Sequence, residues 1–316
     1  MKPGPNLLCI FSDEHAVSAM GSYGNRLIST PNLDRLAGRG VLFERAYVTQ
    51  PVCTPSRASI MTGLFPHRCG CTANNIPLRA SARCLPELAD FAGYRTAYHG
   101  KWHLGDEIFR QHGFDEWIGI DDDYFEHYRN DRDPYAASPY HRFLVERGHR
   151  PDLRIPEDRL KRAGFNTLAC GAEKGIFSRS FCARLPEEET KAAFVADATV
   201  EFLARRGDDP FVLYANFFEP HMPYFGPRDG QYDPAAIPLP PNFDDEPDGD
   251  HPLKLRCFAD AYRRKGHSGY PLETERDWRE MIGRYWGLAS PVDAQVGRIL
   301  DALDRHDLRR DTIVVF

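Results

Sequence analysis

The chain has 316 residues and 42% hydrophobic content, enough for one large α/β domain or two smaller ones. Its formal net charge is −6, so no basic face is offered to nucleic acid, and an anionic ligand would need a local cluster of cations. Eight cysteines are too few for a disulfide scaffold, and no apolar run suits a signal peptide or a membrane span. We therefore expect a cytoplasmic protein with reduced thiols and no membrane partner, unless a leader has been removed.

Short apolar runs alternate with helical patterns along the whole chain. The apolar runs predict buried strands at residues 6–11, 41–48, 96–99, 211–217 and 312–316. The helical patterns lie at residues 30–37, 54–63, 186–206 and 273–305, and Pro291 is expected to kink or interrupt the last of them. Strands that alternate with helices predict an α/β fold with a mostly parallel sheet and helices on both faces.

Two polar stretches interrupt this alternation. Residues 121–186 carry little periodicity, which predicts an irregular insertion or lid. Residues 238–252 are acidic and are interpreted as a solvated loop, because the ligand spacing of an EF-hand calcium loop is absent.

Polar clusters follow three of the predicted strands directly. They lie at residues 13–15, 101–103 and 219–221. Because ligands of parallel sheets gather at the carboxyl ends of the strands, these clusters are expected on one rim of the sheet. The sequence therefore predicts a polar site at that rim.

The segment around Cys53 combines the signals of a helix start with a cation. Thr54 can cap a helix whose first position is Pro55, which puts Cys53 beside the free N–H groups of a helix N-terminus. Arg57 adds a positive charge one turn later. This setting predicts a lowered thiol pKa and a nucleophilic role, while a buried structural cysteine is the other interpretation. Both interpretations stay open on these residues alone.

A resemblance to a known family enters with residues 53–57. Their sequence, Cys-Thr-Pro-Ser-Arg, matches the Cys-x-Pro-Ser-Arg signature of type I sulfatases. Further stretches resemble the family in the same order along the chain, at residues 6–14, 30–37, 100–105, 220–224 and 290–303. The resemblance covers nearly the whole chain apart from the predicted insertion, and it implies an alkaline-phosphatase-like fold.

The resemblance also implies a mechanism. In this family a maturation enzyme oxidises the signature cysteine to formylglycine, and the hydrated aldehyde attacks the sulfur of a sulfate ester. Cys53 would be that nucleophile, and Arg57 would orient and stabilise the hydrated form. Lys101 and His221 would bind sulfate oxygens or the leaving oxygen, and His103 would act as acid or base.

A divalent metal belongs to the implied site. The family holds it with an acidic pair and the modified cysteine, which here are Asp13, Glu14 and Cys53. Carboxylate oxygens suit calcium, the ion that the family commonly uses, with magnesium or manganese as alternatives. Many members carry two aspartates, so Glu14 is expected either as a ligand or as a partner of one. His15 has no implied role and is interpreted as a structural or substrate-pocket residue.

The substrate implied by the resemblance is a sulfated small molecule or saccharide, and we favour a carbohydrate sulfate over a simple aryl sulfate. The predicted lid at residues 121–186 would form a sugar cleft together with an aromatic and basic set. That set comprises Tyr224, Arg228, Tyr262 and Arg263.

The Cys-x-Cys pair, Cys69 and Cys71, resembles half of a zinc site, but no second pair follows at zinc spacing. Structural thiols are therefore expected. A lining of the substrate pocket and a disulfide are the alternatives.

Family members continue past the strand that matches residues 312–316 into a further metal-binding element and a smaller C-terminal subdomain. This sequence does not include them. Residues 1–316 are therefore interpreted as the N-terminal catalytic domain of a sulfatase, with the C-terminal subdomain absent and little activity expected of the chain alone. The alternatives are a phosphonate or phosphate ester hydrolase of the same superfamily and a non-catalytic anion-binding protein.

Overall fold

The computed structural model describes residues 4–121, 125–133, 136–149, 185–266 and 272–316. Within them, five strands form one sheet in which every neighbouring pair runs parallel. The strands are β1 (Asn6–Phe11), β2 (Arg95–Gly100), β3 (Glu116–Gly119), β4 (Phe211–Asn216) and β5 (Thr312–Val315). They lie in the order β3-β2-β4-β1-β5, so the fully buried β4 occupies the centre of the sheet.

The α-helices of the described residues all lie between β1 and β5 in the sequence. They are α1 (Pro31–Ala37), α2 (Cys53–Thr62), α3 (Pro66–Cys69), α4 (Pro139–Glu146), α5 (Lys191–Arg205), α6 (Leu253–Lys265) and α7 (Glu275–Arg305).

Helices cover both faces of the sheet. On one face α5 and α7 pack on β1 and β4, and Phe202, Val296 and Leu213 belong to the same buried cluster. On the other face Met61 of α2 joins a buried cluster that contains Tyr98 of β2. Burial of both faces explains the unbroken apolar runs of the strands. The predicted α/β class with a parallel sheet is therefore confirmed.

The strand predicted at residues 41–48 is wrong. This segment has no regular structure, and Val41, Phe43 and Tyr47 are 79%, 69% and 88% exposed. No described strand pairs with it, and a strand-forming composition without a partner strand leaves its backbone without a ladder of hydrogen bonds.

The helix α7 runs through Pro291 without interruption, and Pro291 is buried inside it. The interruption expected there is wrong, and the alternative, a kink, stays a prediction. The helix α4 lies in the stretch that was expected to be irregular. Ser138 caps it by accepting a hydrogen bond from the His141 N–H at 3.0 Å, and Pro139 occupies its first position.

Most of the predicted insertion at residues 121–186 lies outside the described residues. Among the helices that the structure does describe, none is both long and apolar enough to cross a lipid bilayer.

Candidate active site

The carboxyl ends of β1, β2 and β4 bring together the polar residues that follow them. Asp13 follows β1, Lys101 follows β2 and His221 follows β4. The Asp13 carboxylate lies 2.5 Å from Lys101 Nζ and 3.5 Å from Arg57 Nη2. Cys53 Sγ lies 3.8 Å from Asp13 Oδ1. The rim predicted from the sequence therefore exists, and the start of α2 faces it.

Asp13 is the electrostatic centre of this rim. It is 5% exposed, and burial by itself would raise the pKa of its carboxyl group. The positive charges of Arg57 and Lys101 outweigh burial and hold that pKa well below its usual range. Asp13 is therefore a carboxylate throughout the physiological pH range.

Cys53 is the first residue of α2, and the extended Val52 precedes it as the N-cap. The predicted cap is wrong: the Thr54 hydroxyl accepts no N–H of the helix. It accepts the Asn75 N–H at 3.2 Å and donates to the His103 carbonyl at 2.9 Å. The Thr54 N–H donates to Asn74 Oδ1 at 3.0 Å. The start of α2 is thus tied to two neighbouring loops, which fixes the position of Cys53.

The predicted lowering of the Cys53 pKa is also wrong. Burial raises the pKa of the thiol, and the Asp13 carboxylate adds to this effect, which the Lys101 and Arg57 charges do not overcome. An unmodified Cys53 is therefore a protonated, weakly nucleophilic thiol at neutral pH.

Arg57 joins α2 to the loop after β2. Its Nη1 donates to the Lys101 carbonyl at 2.7 Å, and its guanidinium lies 4.9 Å from the centre of the Phe11 ring. The Tyr98 hydroxyl donates to the same carbonyl. Arg57 is 4% exposed, so its charge acts in a region that excludes most water.

The residues that follow β2, 101–105, form what we name the Lys101 loop. It begins at Gly100, whose φ is +110°, and a Cβ at this position would collide with the Asn216 carbonyl oxygen of β4. Lys101 is fully buried, with its ammonium on the Asp13 carboxylate and 4.8 Å from the centre of the Phe218 ring. Trp102 is 1% exposed, as expected for an inward-packing residue.

His103 is held on both sides by residues that the sequence did not single out. Its Nε2 donates to Asn75 Oδ1 at 2.8 Å, so Nδ1 is the nitrogen that carries the lone pair. Its backbone N–H donates to Glu107 Oε2 at 2.6 Å. Burial and the Lys101 charge lower the pKa of His103 to about 3. His103 is therefore a neutral imidazole of fixed tautomer.

Glu107 binds the backbone of the Lys101 loop at a second point. It is 2% exposed, and its second oxygen accepts the Gly105 N–H at 3.3 Å. Burial raises the pKa of Glu107 to about 7. Asn75 and Glu107 had no signal in the sequence, because Asn-Asn and Asp-Glu pairs occur in many loops.

The residues after β4, 218–224, form what we name the His221 loop. His221 Nδ1 donates to the Met222 carbonyl at 2.6 Å, so the neutral ring turns an unprotonated Nε2 towards Glu14 Oε1, 3.4 Å away. Burial and the Lys101 charge lower the pKa of His221 to about 4. Burial and the Asp13 charge raise the pKa of Glu14.

His15 faces away from this chemistry. Its Nδ1 lies 2.9 Å from the Ser12 hydroxyl and its Nε2 lies 3.2 Å from the Ala19 carbonyl. These contacts support the structural interpretation of His15.

Donor atoms for a cation converge at the same point. One ligand atom each from Asp13, Cys53 and His221 lies within 4.8 Å of the others, and the Glu14 carboxylate is next to His221. Atoms that share one calcium ion at about 2.3–2.6 Å lie roughly 3 to 5 Å from each other. The residues present therefore fit one side of a divalent metal shell, with the Cys53 sulfur standing where an oxygen of formylglycine would lie.

The sequence profile of the family described as Sulfatase matches residues 5–316. The chain belongs to the sulfatase family. It is 28% identical to the uncharacterized sulfatase YidJ of Escherichia coli over 318 residues, which cover 99% of this chain and 56% of that protein. It is 36% identical to an N-acetylglucosamine-6-O-sulfatase of Bacteroides thetaiotaomicron over 149 residues, 47% of this chain and 26% of that protein. The sulfatase chain thus spans about half of the relative that it matches from end to end, 56% of YidJ.

Solved structures agree on the fold of this sulfatase chain. The phosphonate monoester hydrolase of Agrobacterium radiobacter superposes with a TM-score of 0.69 at 24% identity, over 98% of this chain and 61% of that one. At this identity the likeness shows the fold alone, and it confirms the alkaline-phosphatase-like architecture.

Two of the four residues proposed for a sugar cleft are already engaged. Glu187 binds Arg228 with distances of 2.7 and 2.5 Å, and Glu246 binds Arg263 at 2.6 Å. Tyr224 is 9% exposed and packs on the Tyr285 ring, so it is part of the core more than of a cleft. The predicted cleft also includes residues 121–186, most of which lie outside the described residues, so the cleft stays a prediction.

Proposed function

We propose that the protein to which this chain belongs is a sulfuric ester hydrolase whose nucleophile is a formylglycine derived from Cys53. One observation carries the proposal. In a chain that matches the sulfatase family over residues 5–316, Cys53 lies beside the Asp13 carboxylate and the buried charges of Lys101 and Arg57. Two buried cations suit a tetrahedral sulfate anion, which the negative net charge of the chain would otherwise repel.

Modification of Cys53 explains why its thiol need not be activated. Burial keeps the thiol protonated, which makes sulfur a poor nucleophile here. Formylglycine replaces the sulfur with aldehyde oxygen, and its hydrated form supplies a hydroxyl nucleophile from the same helix start. We infer that a formylglycine-generating enzyme is the maturation partner.

The remaining residues have two kinds of role, which are the stabilisation of negative charge and the transfer of protons. The Lys101 ammonium would stabilise charge on a sulfate oxygen or on the leaving oxygen, and Arg57 would orient the hydrated nucleophile. The unprotonated Nε2 of His221 faces the same space and would receive a proton, and the resulting N–H would donate to the leaving oxygen. The fixed tautomer of His103 would exchange a proton at Nδ1.

A divalent cation, calcium by preference, would be held by Asp13, Glu14 and the modified Cys53. Its chemistry would be to lower the charge repulsion between the nucleophile and the sulfate. The pKa of Asp13 lies well below its usual range, so its carboxylate is available to a hard cation at neutral pH.

The substrate class that we propose is a sulfated saccharide. The 36% identical relative from Bacteroides is named for a sulfated amino sugar. In this chain a cavity of about 140 Å³ opens beside His221, next to Phe218 and Tyr140, and provides an apolar wall for one face of a sugar ring. A cytoplasmic location remains our inference from the sequence.

The test uses the full-length protein expressed with a formylglycine-generating enzyme. Mass spectrometry of the peptide containing Cys53 measures the modification, and a panel of sulfated mono- and disaccharides measures sulfate release. We expect sulfate release from wild type and from Cys257→Ala, whose thiol is exposed on α6, and none from Cys53→Ala. Sulfate release by the Cys53→Ala protein would show that Cys53 is not the source of the nucleophile.

The second candidate is hydrolysis of phosphonate or phosphate esters. A tetrahedral phosphonate has the same shape as a sulfate, and the Lys101 and Arg57 charges would serve both anions. Parallel assays with both ester types distinguish the candidates.

A further inference from the structure

Three potential metal ligands from two separate loops meet away from the active site. Cys84 and Glu87 lie on a turn between α3 and β2, and His112 lies on the loop between β2 and β3. One ligand atom from each lies within 4.8 Å of the others. Cys84 is fully buried, the His112 side chain is 3% exposed and the Glu87 side chain is 29% exposed. The sequence did not indicate this cluster, because its members are spread over residues 84–112.

The contact between His112 and Glu87 is spaced as a ligand pair and not as a hydrogen bond. Nδ1 lies 3.4 Å from Glu87 Oε2, beyond the usual range of an N–H···O bond, and among the described residues this buried nitrogen has no hydrogen-bond partner. Ligand atoms of one tetrahedral zinc ion, with bonds of about 2.0–2.3 Å, lie roughly 3.3 to 3.8 Å apart. The observed separation falls within that range.

The backbone brings these side chains together closely. His112 adopts a left-handed conformation with φ of +49°, which is uncommon for a residue with a side chain. A Cβ on the neighbouring Gly113 would lie 2.7 Å from Glu87 Cγ, so the loop can approach Glu87 only because this residue is glycine. The Glu87 carboxylate is oriented by the Cys84 N–H, which donates to Oε2 at 2.8 Å.

We propose that Cys84, Glu87 and His112 form a zinc site. The donor set of one thiolate, one imidazole and one carboxylate is typical of zinc and unsuited to calcium or magnesium, which avoid sulfur. A thiolate and a carboxylate together neutralise the charge of Zn²⁺, which a buried site requires. Burial raises the pKa of Cys84 to about 12, so zinc would bind with release of the thiol proton.

The zinc site would stabilise the Lys101 loop through the contact between His112 and Trp102. The His112 ring lies 5.8 Å from the ring of Trp102. Trp102 is the residue between Lys101 and His103 in the sequence. Cys69 and Cys71, the pair noted in the sequence, are buried in the same hydrophobic cluster as Cys84 and are free thiols. They fit the structural role expected of them, and the proposed ligand set does not include them.

The test measures metal content and spectrum in the full-length protein. All samples carry Asp13→Asn and Cys53→Ala, which remove two candidate ligands of the active site and its only candidate thiolate among the described residues, so a thiolate-bound metal reports on another site. In this background we compare Cys84→Ser and His112→Gln with the control Cys257→Ser. We expect about one equivalent of zinc in the background protein and the control, and at least a tenfold lower zinc affinity in the two ligand variants.

Cobalt provides the second measurement. Replacement of zinc by Co²⁺ should give a thiolate-to-cobalt charge-transfer band in the background protein and in Cys257→Ser, and no such band in Cys84→Ser. Absence of both zinc and the band from the background protein would overturn the proposal, even if a ligand variant fails to fold. Retention of the band in a folded Cys84→Ser protein would overturn it as well.

Discussion

The Lys101 loop and the His221 loop leave the same edge of the sheet but differ in how firmly they are held. In the first, residues 101–104 are all at most 5% exposed, and Arg57, Tyr98 and Glu107 bind its backbone. In the second, residues 218, 219 and 221–223 are only half-buried. We infer that the charges for the reaction are fixed before the substrate arrives, whereas the His221 side remains open to contact the rest of the substrate.

The largest effect is expected at Lys101. Lys101→Met removes the buried ammonium that faces Asp13 and the substrate anion, and we predict a fall in kcat/KM of about a thousandfold. Lys254→Met, an exposed position on α6, is the control and should keep wild-type activity. The measurement is steady-state kinetics at known formylglycine content. A loss below tenfold in a folded Lys101→Met protein would contradict the preorganised role of this loop.

His221 should matter less than Lys101. His221→Ala removes a proton acceptor and leaves the buried cations in place, so we predict a loss in kcat of about a hundredfold. His251→Ala changes an exposed histidine paired with Asp248 and serves as the control. If His221→Ala costs more than Lys101→Met under the same conditions, the ranking of the two loops is reversed.

Asn75 tests the fixed orientation of His103. Its φ is +64°, which glycine tolerates, so Asn75→Gly removes the hydrogen bond without backbone strain. We predict a loss of about tenfold in kcat, because the His103 ring remains present but loses the hydrogen bond from Nε2 to Asn75. Asn75→Asp restores the acceptor and adds a negative charge. The Asn75→Asp protein should recover activity. Its added negative charge should raise the pKa of His103 and so shift the acidic limb of the pH profile to higher pH.

A purely structural Asn75 would give a different result. The Asn75→Gly protein would then lose thermal stability while kcat of the folded fraction stayed unchanged. The pH profile of Asn75→Asp would also match that of wild type.

The smallest effect is expected from Glu107→Gln, and it concerns the free energy of unfolding instead of activity. The folded-state pKa of Glu107 is raised from 4.5 to about 7, so the folded protein holds this proton more tightly than the unfolded chain does. The contribution is therefore present at acidic pH and is lost as the pH rises from 4.5 to about 7, by roughly 3 kcal/mol at most. Glu107→Gln should flatten this pH dependence in the free energy of unfolding measured by urea denaturation. An unchanged slope would argue against a protonated Glu107.

Patterns in the sequence predicted the catalytic rim because its residues follow strands directly. Asp13, Lys101 and His221 each lie within a few residues of a strand end, and parallel strands bring those ends together. Local signals were less reliable. Thr54 had the sequence of a helix cap, but tertiary contacts with the His103 carbonyl determined its hydrogen bond. The pKa of Cys53 likewise follows from burial, which no local pattern reveals.

Long-range partners could not be predicted for the same reason. Asn75 and His103 lie 28 positions apart, and Cys84 and His112 are joined only by the folding of two loops. The segment at residues 41–48 shows the reverse error, since its composition favours a strand and no described strand pairs with it. Periodicity reports which face of an element is buried, but the partner of a side chain depends on the whole fold.

The central claim is most directly tested by a comparison of ester types in one preparation. The full-length protein, with its formylglycine content measured at Cys53, is assayed with an aryl sulfate, a 6-O-sulfated amino sugar and an aryl phosphonate monoester. We predict that kcat/KM is highest for a sulfate ester and that turnover rises in proportion to formylglycine content. A higher kcat/KM for the phosphonate, or full activity with an unmodified Cys53 thiol, would contradict the proposed function.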